Sequence, residues 1–197
     1  MRYDTEHKQR TREKVLKAAA KAIRAQGPHR VGVAAVMGKA GLTHGGFYAH
    51  FDSKDDLVAA AIGQMFEEAR ANWARLTEAK QPAAALASYV DFYLSTQHRD
   101  AVSAGCPIPI LAPESRRLAK PSREQFAAGV GHLTERLRSQ LEALGVERAQ
   151  DEASSMLAEM VGALALARAE PDAERSEAIL NASKQRLKER FALADRS

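Results

Sequence analysis

The stretch Val33–Leu57, VAAVMGKAGLTHGGFYAHFDSKDDL, constrains this chain more than any other. Val33, Val36 and Met37 recur at i, i+3 and i+4, which puts them on one face of a short helix. Gly41 supplies the positive φ that a sharp break demands. Thr43 is an N-cap residue for a second short helix carrying His44, Gly45, Gly46, Phe47, Tyr48, Ala49, His50 and Phe51. Phe47 and Phe51, four apart, share the inner face, which leaves His44, Tyr48 and His50 to point outward. Ser53 caps a third helix that opens Lys54-Asp55-Asp56-Leu57, with acids in the first turn where the helix dipole favours them. Two short helices about a tight turn, with polar groups on the outside, form the geometry that sets the second helix in a DNA major groove.

Charge agrees with that reading. The 197 residues carry a formal net charge of +4. Residues 1–60 hold 11 Lys+Arg against 6 Asp+Glu, a net of +5, and the remainder holds 18 against 19. A basic module on a near-neutral body suits phosphate binding. The other source of such an asymmetry is a solvated basic face, and its coincidence with the two short helices favours DNA.

At Ala40-Gly41-Leu42-Thr43-His44-Gly45-Gly46-Phe47-Tyr48, with Phe51 and Ser53-Lys54-Asp55-Asp56-Leu57 following, the chain resembles the TetR family of transcriptional regulators. It departs from the family pattern at Gly32, where Ser or Thr commonly caps the first short helix. It departs again at Ala34 and Ala35 (often charged), Gly46 (often Thr) and Ala49 (often His). These changes remove potential base and phosphate contacts. The resemblance implies a ligand-responsive DNA-binding regulator, a repressor released from a palindromic operator by a small-molecule effector. A helical protein-interaction module without DNA binding would explain the later helices and leave the basic head without a purpose.

The fold expected is all-α. An N-terminal three-helix, helix-turn-helix DNA-binding head spans 1–51, and a helical C-terminal regulatory and dimerisation body spans 52–197, about nine helices in all. Met1–Thr5 is expected to be a disordered tail, with Arg2 either solvated or reaching DNA. A helix from Glu6 or Thr11 to Gln26 buries Val15, Leu16, Ala19, Ala20 and Ile23 and is ended by Gly27-Pro28. From Ser53 one helix continues past Trp73 to Leu76 without a flexible linker, a lever fit to transmit body movement to the head. Pro82–Gln97 forms another. Three prolines within Pro107–Pro113 reduce the next stretch to a loop and a short helix. Helices resume over Ser122–Leu144, Glu147–Ala169 and Pro171–Ala194. Gly129 and Gly131 cost helix stability, so they leave room for a ligand or a neighbouring helix.

The DNA-contacting residues expected are Arg10, Arg12, Thr43, His44, Gly46, Tyr48, His50 and Lys54. Thr43 and Lys54 are assigned to phosphates, Tyr48 to a phosphate or a thymine methyl, and His44 to a base edge. Arg10 and Arg12 read equally as phosphate contacts or as helix-solubilising i, i+4 partners. Tyr48 and His50 have packing within the head as their alternative. One short recognition helix reads few base pairs, so a twofold dimer is implied. Met156–Ala167 is apolar nearly all round, and Leu180, Leu187 and Phe191 form a second stripe. Both fit a subunit interface as well as a core. The resemblance places the final two helices in a four-helix dimer interface, here at Met160, Leu164, Leu180, Leu187 and Phe191.

Candidates for an effector pocket are Met65, Trp73, Tyr89, Phe92, Tyr93, Cys106, Ile110, Phe126, His132, Met156 and Met160. Aromatics and methionines at helical spacing also make ordinary core. Few of these carry charge, so a neutral or weakly polar aromatic or aliphatic effector is expected. The one cysteine, Cys106, excludes an intramolecular disulfide and makes a cytoplasmic home the default. Lying in Gly105-Cys106-Pro107, it reads either as an electrophile- or oxidant-sensing thiolate or as a small buried hydrophobe. No HExxH, CxxC, GxSxG or phosphate-cradling glycine motif occurs, so an enzyme, a metal or a cofactor is not expected. Charges interrupt every apolar run, and no membrane partner is expected.

Overall fold

The computed structural model describes residues 2–193, whose regular elements are all helices with no strand among them. The helices are α1 (Arg2–Gln26), α2 (Val33–Lys39), a 3-10 helix (His44–Ala49), α3 (Lys54–Thr77), α4 (Pro82–Tyr93), α5 (Thr96–Asp100) and α6 (Ile108–Leu111). A second 3-10 turn (Ser115–Arg117) then precedes α7 (Lys120–Ala143), α8 (Ala149–Ala169) and α9 (Ala173–Arg190). The chain groups into two compact units. One is Met1–Glu68 with Cys106–Gly129, and the other is Ala69–Gly105 with Val130–Ser197.

Several boundaries differ from expectation, each for a local reason. Helix α1 starts at Arg2, so it takes in residues expected to be a disordered tail. Its first turns are rich in helix formers with i, i+4 partners, including Glu6–Arg10 and Gln9–Glu13, each at 3.5 Å, and nothing there stops propagation. Met1 and the side chain of Arg2 lie outside the described residues. The single helix expected over Pro82–Gln97 is two. At Leu94 the chain leaves helical geometry, and the Ser95 hydroxyl donates to the Phe92 carbonyl at 2.7 Å while accepting the His98 N–H at 3.1 Å. One side chain thus ends α4 and caps α5. Helix α7 begins two residues before its expected start at Ser122, with Pro121 in the first turn, where a missing N–H costs nothing.

In the first unit, Val15, Ala19 and Ile23 of α1 close on Val36 and Met37 of α2, on Phe47 and Phe51, and on Leu57, Ile62 and Met65 of α3, all at most 2% exposed. Arg24 is a charge inside this core, only 3% exposed. Its guanidinium donates to the Met65 carbonyl at 3.3 Å and pairs with Glu68 at 2.7 Å, holding α1 to α3. A charge so far out of water is tolerated only with such partners. Gly129 of α7 lies so close to α3 that a Cβ there would fall 2.2 Å from the Phe66 ring. Of the two readings for the α7 glycines, Gly129 is therefore a helix approach, and Gly131 faces open space.

In the second unit, α8 and α9 form the main helix pair, with α4 packed on both and α5 on α8. Asp172 caps α9, accepting the Arg175 N–H at 2.8 Å. The Ser176 hydroxyl, buried where the two helices meet, donates to the Ala167 carbonyl at 2.6 Å. Arg168 reaches from α8 to α5, donating to the carbonyls of Arg99 at 3.0 Å and His98 at 2.9 Å. His98 is buried between Phe92 and Tyr93, with Nδ1 at 2.8 Å from the Tyr93 carbonyl. Nδ1 therefore carries the proton of the neutral ring. Burial, assisted by the Arg168 charge and opposed by that hydrogen bond, pushes the His98 pKa down to about 4.

Candidate nucleic-acid interface

The turn between the two short helices is built as the sequence requires. Gly41 adopts φ +75°, a left-handed conformation, and the Leu42 N–H returns to the Met37 carbonyl at 2.9 Å. The second short element is a 3-10 helix. Two consecutive glycines do not sustain a regular α-helix, and the element closes through the Gly46 N–H to the Thr43 carbonyl at 3.1 Å. Thr43 occupies the N-cap position in extended geometry, but its side chain makes no capping bond, contrary to expectation. Ser53 does cap α3, accepting the Asp56 N–H at 3.1 Å, while the Asp56 carboxylate accepts the Asp52 N–H at 3.2 Å.

Phe47 and Phe51 stack at 5.7 Å inside the head. Tyr48 packs its edge on Phe47 at 5.1 Å and is 71% exposed, the largest apolar surface offered by the head. Thr43 and His44 are exposed and Gly46 is half-buried. His50 is half-buried; its Nδ1 is enclosed with no hydrogen-bond partner. Burial, then the charges of Lys8 and Arg12, hold its pKa below the ordinary imidazole value, so the ring is neutral at pH 7. Arg12 lies over the Phe51 ring at 4.8 Å, a cation–π contact that seats it beside the short helix. Arg10 is exposed and pairs with Glu6. Lys54 donates to the His29 carbonyl at 3.2 Å, which ties the start of α3 to the loop after α1. His29 in turn meets Glu114 at 3.3 Å, a contact with no periodic signature in the sequence.

The effector-pocket candidates divide between the units: Met65, Cys106, Ile110 and Phe126 in the first, the other seven in the second. Met65, Trp73, Tyr89, Tyr93, Met156 and Met160 are buried. Trp73, Tyr89 and Tyr93 make a continuous aromatic core, with centroids 4.4 and 5.8 Å apart. Phe92, Cys106, Ile110 and Phe126 are half-buried, and His132 is exposed. Three open clefts lie within the second unit. One of about 990 Å³ is bordered by Pro82, Ala87, Leu144, Val146 and Phe191. One of about 410 Å³ is bordered by Arg99, Arg168 and Ser176. One of about 370 Å³ is bordered by Arg70, His132 and Arg136. Of the eleven candidates, His132 alone borders any of these three.

The five residues expected at a dimer interface are all buried within the single chain: Met160, Leu164, Leu180, Leu187 and Phe191. They join α8 to α9 and to the rest of their unit. What packing leaves outside on α8 is Leu166, 63% exposed. Among the described residues, no group of three or more His, Cys, Asp and Glu side chains is placed to hold a metal, and no helix is long and apolar enough to cross a membrane.

A short helix, a left-handed glycine and a second short helix, backed by a basic α1, define a helix-turn-helix DNA-binding transcriptional regulator. Residues 15–61 match the family model for bacterial regulatory proteins of the tetR family, and residues 82–185 match the LmrA/YxaF-like transcriptional regulator C-terminal domain. The chain belongs to the TetR family. Among curated protein sequences there is no significant match. A TetR transcriptional regulator from Chloroflexus aurantiacus J-10-FL is similar, with a TM-score of 0.81 and 26% identity over 95% of this chain and 96% of that one. A TetR-family regulator from Agrobacterium tumefaciens gives 0.79 and 26% over 93% and 98%. Reduced Escherichia coli NemR gives 0.79 at 19% identity over 91% and 95%, a likeness of fold.

Proposed function

We propose that this chain is a homodimeric repressor that leaves a palindromic operator when its body binds a small-molecule effector. The observation that carries the reading is Tyr48, a large side chain standing 71% exposed on the second helix of a basic helix-turn-helix. Exposure alone is ordinary for a tyrosine, but Tyr48 stands with exposed Thr43 and His44 on the element that a helix-turn-helix sets into the major groove. The functional division falls at residues 51/52, with a DNA-binding head before it and an effector-binding, dimerising body after it. Thr43 and Lys54 meet phosphates, with Arg10 and Arg12 alongside. Tyr48 meets a phosphate or a thymine methyl, and His44 a base edge.

Two heads on a twofold axis read an inverted repeat, and Leu166 on α8 is the apolar residue a second copy would cover. The effector is neutral or weakly polar. The cleft of about 990 Å³, bordered chiefly by alanine, leucine, valine and phenylalanine, is of a size to admit one. Its binding favours a body arrangement that holds the heads at the wrong separation. The test is selection of bound duplexes from a random pool, followed by titration of the winner. The expected result is an inverted repeat with half-site centres about 10 base pairs, or a multiple, apart. Tyr48→Ala and Lys54→Ala should both weaken binding, and Lys54→Ala should reduce the salt slope by about 1. Unaltered binding by both variants removes the interface assignment.

A further inference from the structure

We propose that Glu114, far along the chain from the head, is a positioning residue for DNA binding: it steadies the loop whose backbone holds the Lys54 ammonium ready for a phosphate. The proposal rests on the regulator reading above and deepens it. Two contacts converge on His29, in the loop between α1 and α2. Its ring Nε2 lies 3.3 Å from a Glu114 carboxylate oxygen, and its carbonyl accepts from Lys54 Nζ at 3.2 Å. Glu114 is itself fixed at the start of the 3-10 turn after α6. Its N–H donates to the Leu111 carbonyl at 3.1 Å, and its carbonyl accepts the Arg117 N–H at 2.9 Å. Its side chain is half-buried, and the segment that carries it, Cys106–Gly129, shares one compact unit with Met1–Glu68.

The loop needs holding. Among the described residues, no backbone group of residues 28–31 bonds to another backbone group. Pro28 and Val31 are buried and anchor the loop at its ends; between them His29 and Arg30 stand at the surface, and His29 is held from both sides. Lys54 gains from this. Its ammonium has three N–H donors, of which the His29 carbonyl takes one. That acceptor is neutral, and among the described residues Lys54 makes no ion pair, so its charge is kept for a phosphate. A lysine free in water gives up rotamer freedom on binding, and one already seated gives up less. Without the Glu114 carboxylate the His29 ring loses its partner, the loop loosens, and the DNA has to order Lys54 itself. Arg117 also reaches Glu114, at 3.7 Å, but it is an exposed side chain and such a pair contributes little. The sign of the effect separates this role from ordinary electrostatics. A carboxylate on a DNA-binding unit repels phosphates, so its removal alone strengthens binding. Removal of a positioning carboxylate weakens it.

The experiment titrates the duplex selected by wild-type protein with Glu114→Gln, His29→Ala, the two combined, and Glu114→Gln combined with Lys54→Ala. Glu124→Gln, at an exposed acid on α7 of the same unit, controls for the loss of one negative charge. Glu114→Gln should weaken binding by about two- to tenfold for each head engaged, the scale of ordering one long side chain. His29→Ala should weaken it similarly and the combination no further, while Glu124→Gln binds as wild type or slightly tighter. In the Lys54→Ala background Glu114→Gln should change affinity by no more than about twofold, because the group it positions is gone. Wild-type or tighter binding by Glu114→Gln overturns the proposal and leaves the regulator reading intact. An equal loss with and without Lys54 also overturns it, since Glu114 would then act by another route. Should Glu114→Gln fail to fold in thermal unfolding of the free protein, His29→Ala decides, and wild-type binding by that variant overturns the proposal. A wild-type protein that selects no duplex overturns the regulator reading and this proposal together.

Discussion

Gly129→Ala tests how closely α7 and α3 approach within the first unit. The Cβ it adds would lie 2.2 Å from Phe66 Cγ and 2.3–2.4 Å from the two Cδ atoms. These are the base of the ring, not the free end of a flexible chain, so Phe66 cannot evade the methyl by a small torsion. Phe66 is itself buried and packs against Phe126 at 6.1 Å, which restricts a larger swing. Overpacking of this kind costs about 1–3 kcal/mol, and contacts this short argue for about 3. Alanine in place of glycine within a helix returns about 1 kcal/mol, so the net destabilisation is about 2 kcal/mol. For a chain of this length that lowers the melting temperature by roughly 4–8 °C. Gly131→Ala, two residues along the same helix and with no atom within 4 Å of its Cβ, supplies the propensity gain without the clash. It should be about 1 kcal/mol more stable than wild type and melt about 2–4 °C higher. Urea and thermal unfolding of both proteins, followed by circular dichroism, measure the pair. A Gly129→Ala protein as stable as wild type refutes the close approach; a destabilised Gly131→Ala protein refutes the open space.

Two further outcomes follow from named side chains. His98 has a folded pKa of about 4 against an ordinary value of 6.5, so between those values the unfolded chain binds the extra proton; its stabilising contribution is complete above pH 6.5, is lost as pH falls toward 4, and amounts to about 3 kcal/mol. Urea midpoints across pH 7 to 4 should therefore fall more steeply for wild type than for His98→Gln, and equal slopes would contradict the burial of the imidazole. Leu166→Glu puts a charge on the apolar side chain that α8 leaves 63% exposed, so sedimentation should show dissociation of the dimer with helix content unchanged, and an undisturbed dimer moves the interface elsewhere.

Short-range chemistry was the part of this fold that its sequence declared. Gly41 announced the left-handed turn and Ser53 the cap of α3, because each acts on backbone groups within a few residues. The α4–α5 break was hidden because Ser95 sits as readily inside a helix as at its start, and the apolar pattern runs on across it. In the head, exposure of Tyr48 followed from helical phase, but the engagement of Lys54 with the His29 carbonyl did not. A backbone acceptor 25 residues away leaves no side-chain signature. The pairing of buried Arg24 with half-exposed Glu68 was equally silent, since an arginine near a helix end looks like surface until the neighbouring element is in place.

The last two helices show where pattern reading stops in principle. Periodicity identifies side chains that leave water; it does not say whose atoms cover them. Met160, Leu164, Leu180, Leu187 and Phe191 satisfy the pattern of an interface and are covered by their own chain. Leu164 and Leu166 belong to one unbroken apolar run, yet the first is fully buried and the second is 63% exposed. On a helix apolar nearly all round, no phase separates them. Only the packing of α9 and α4 does, by occupying the other faces of α8. A candidate partner-facing position on such a helix is therefore sought by subtraction, as the large apolar residue that intramolecular packing leaves exposed, which on α8 is Leu166.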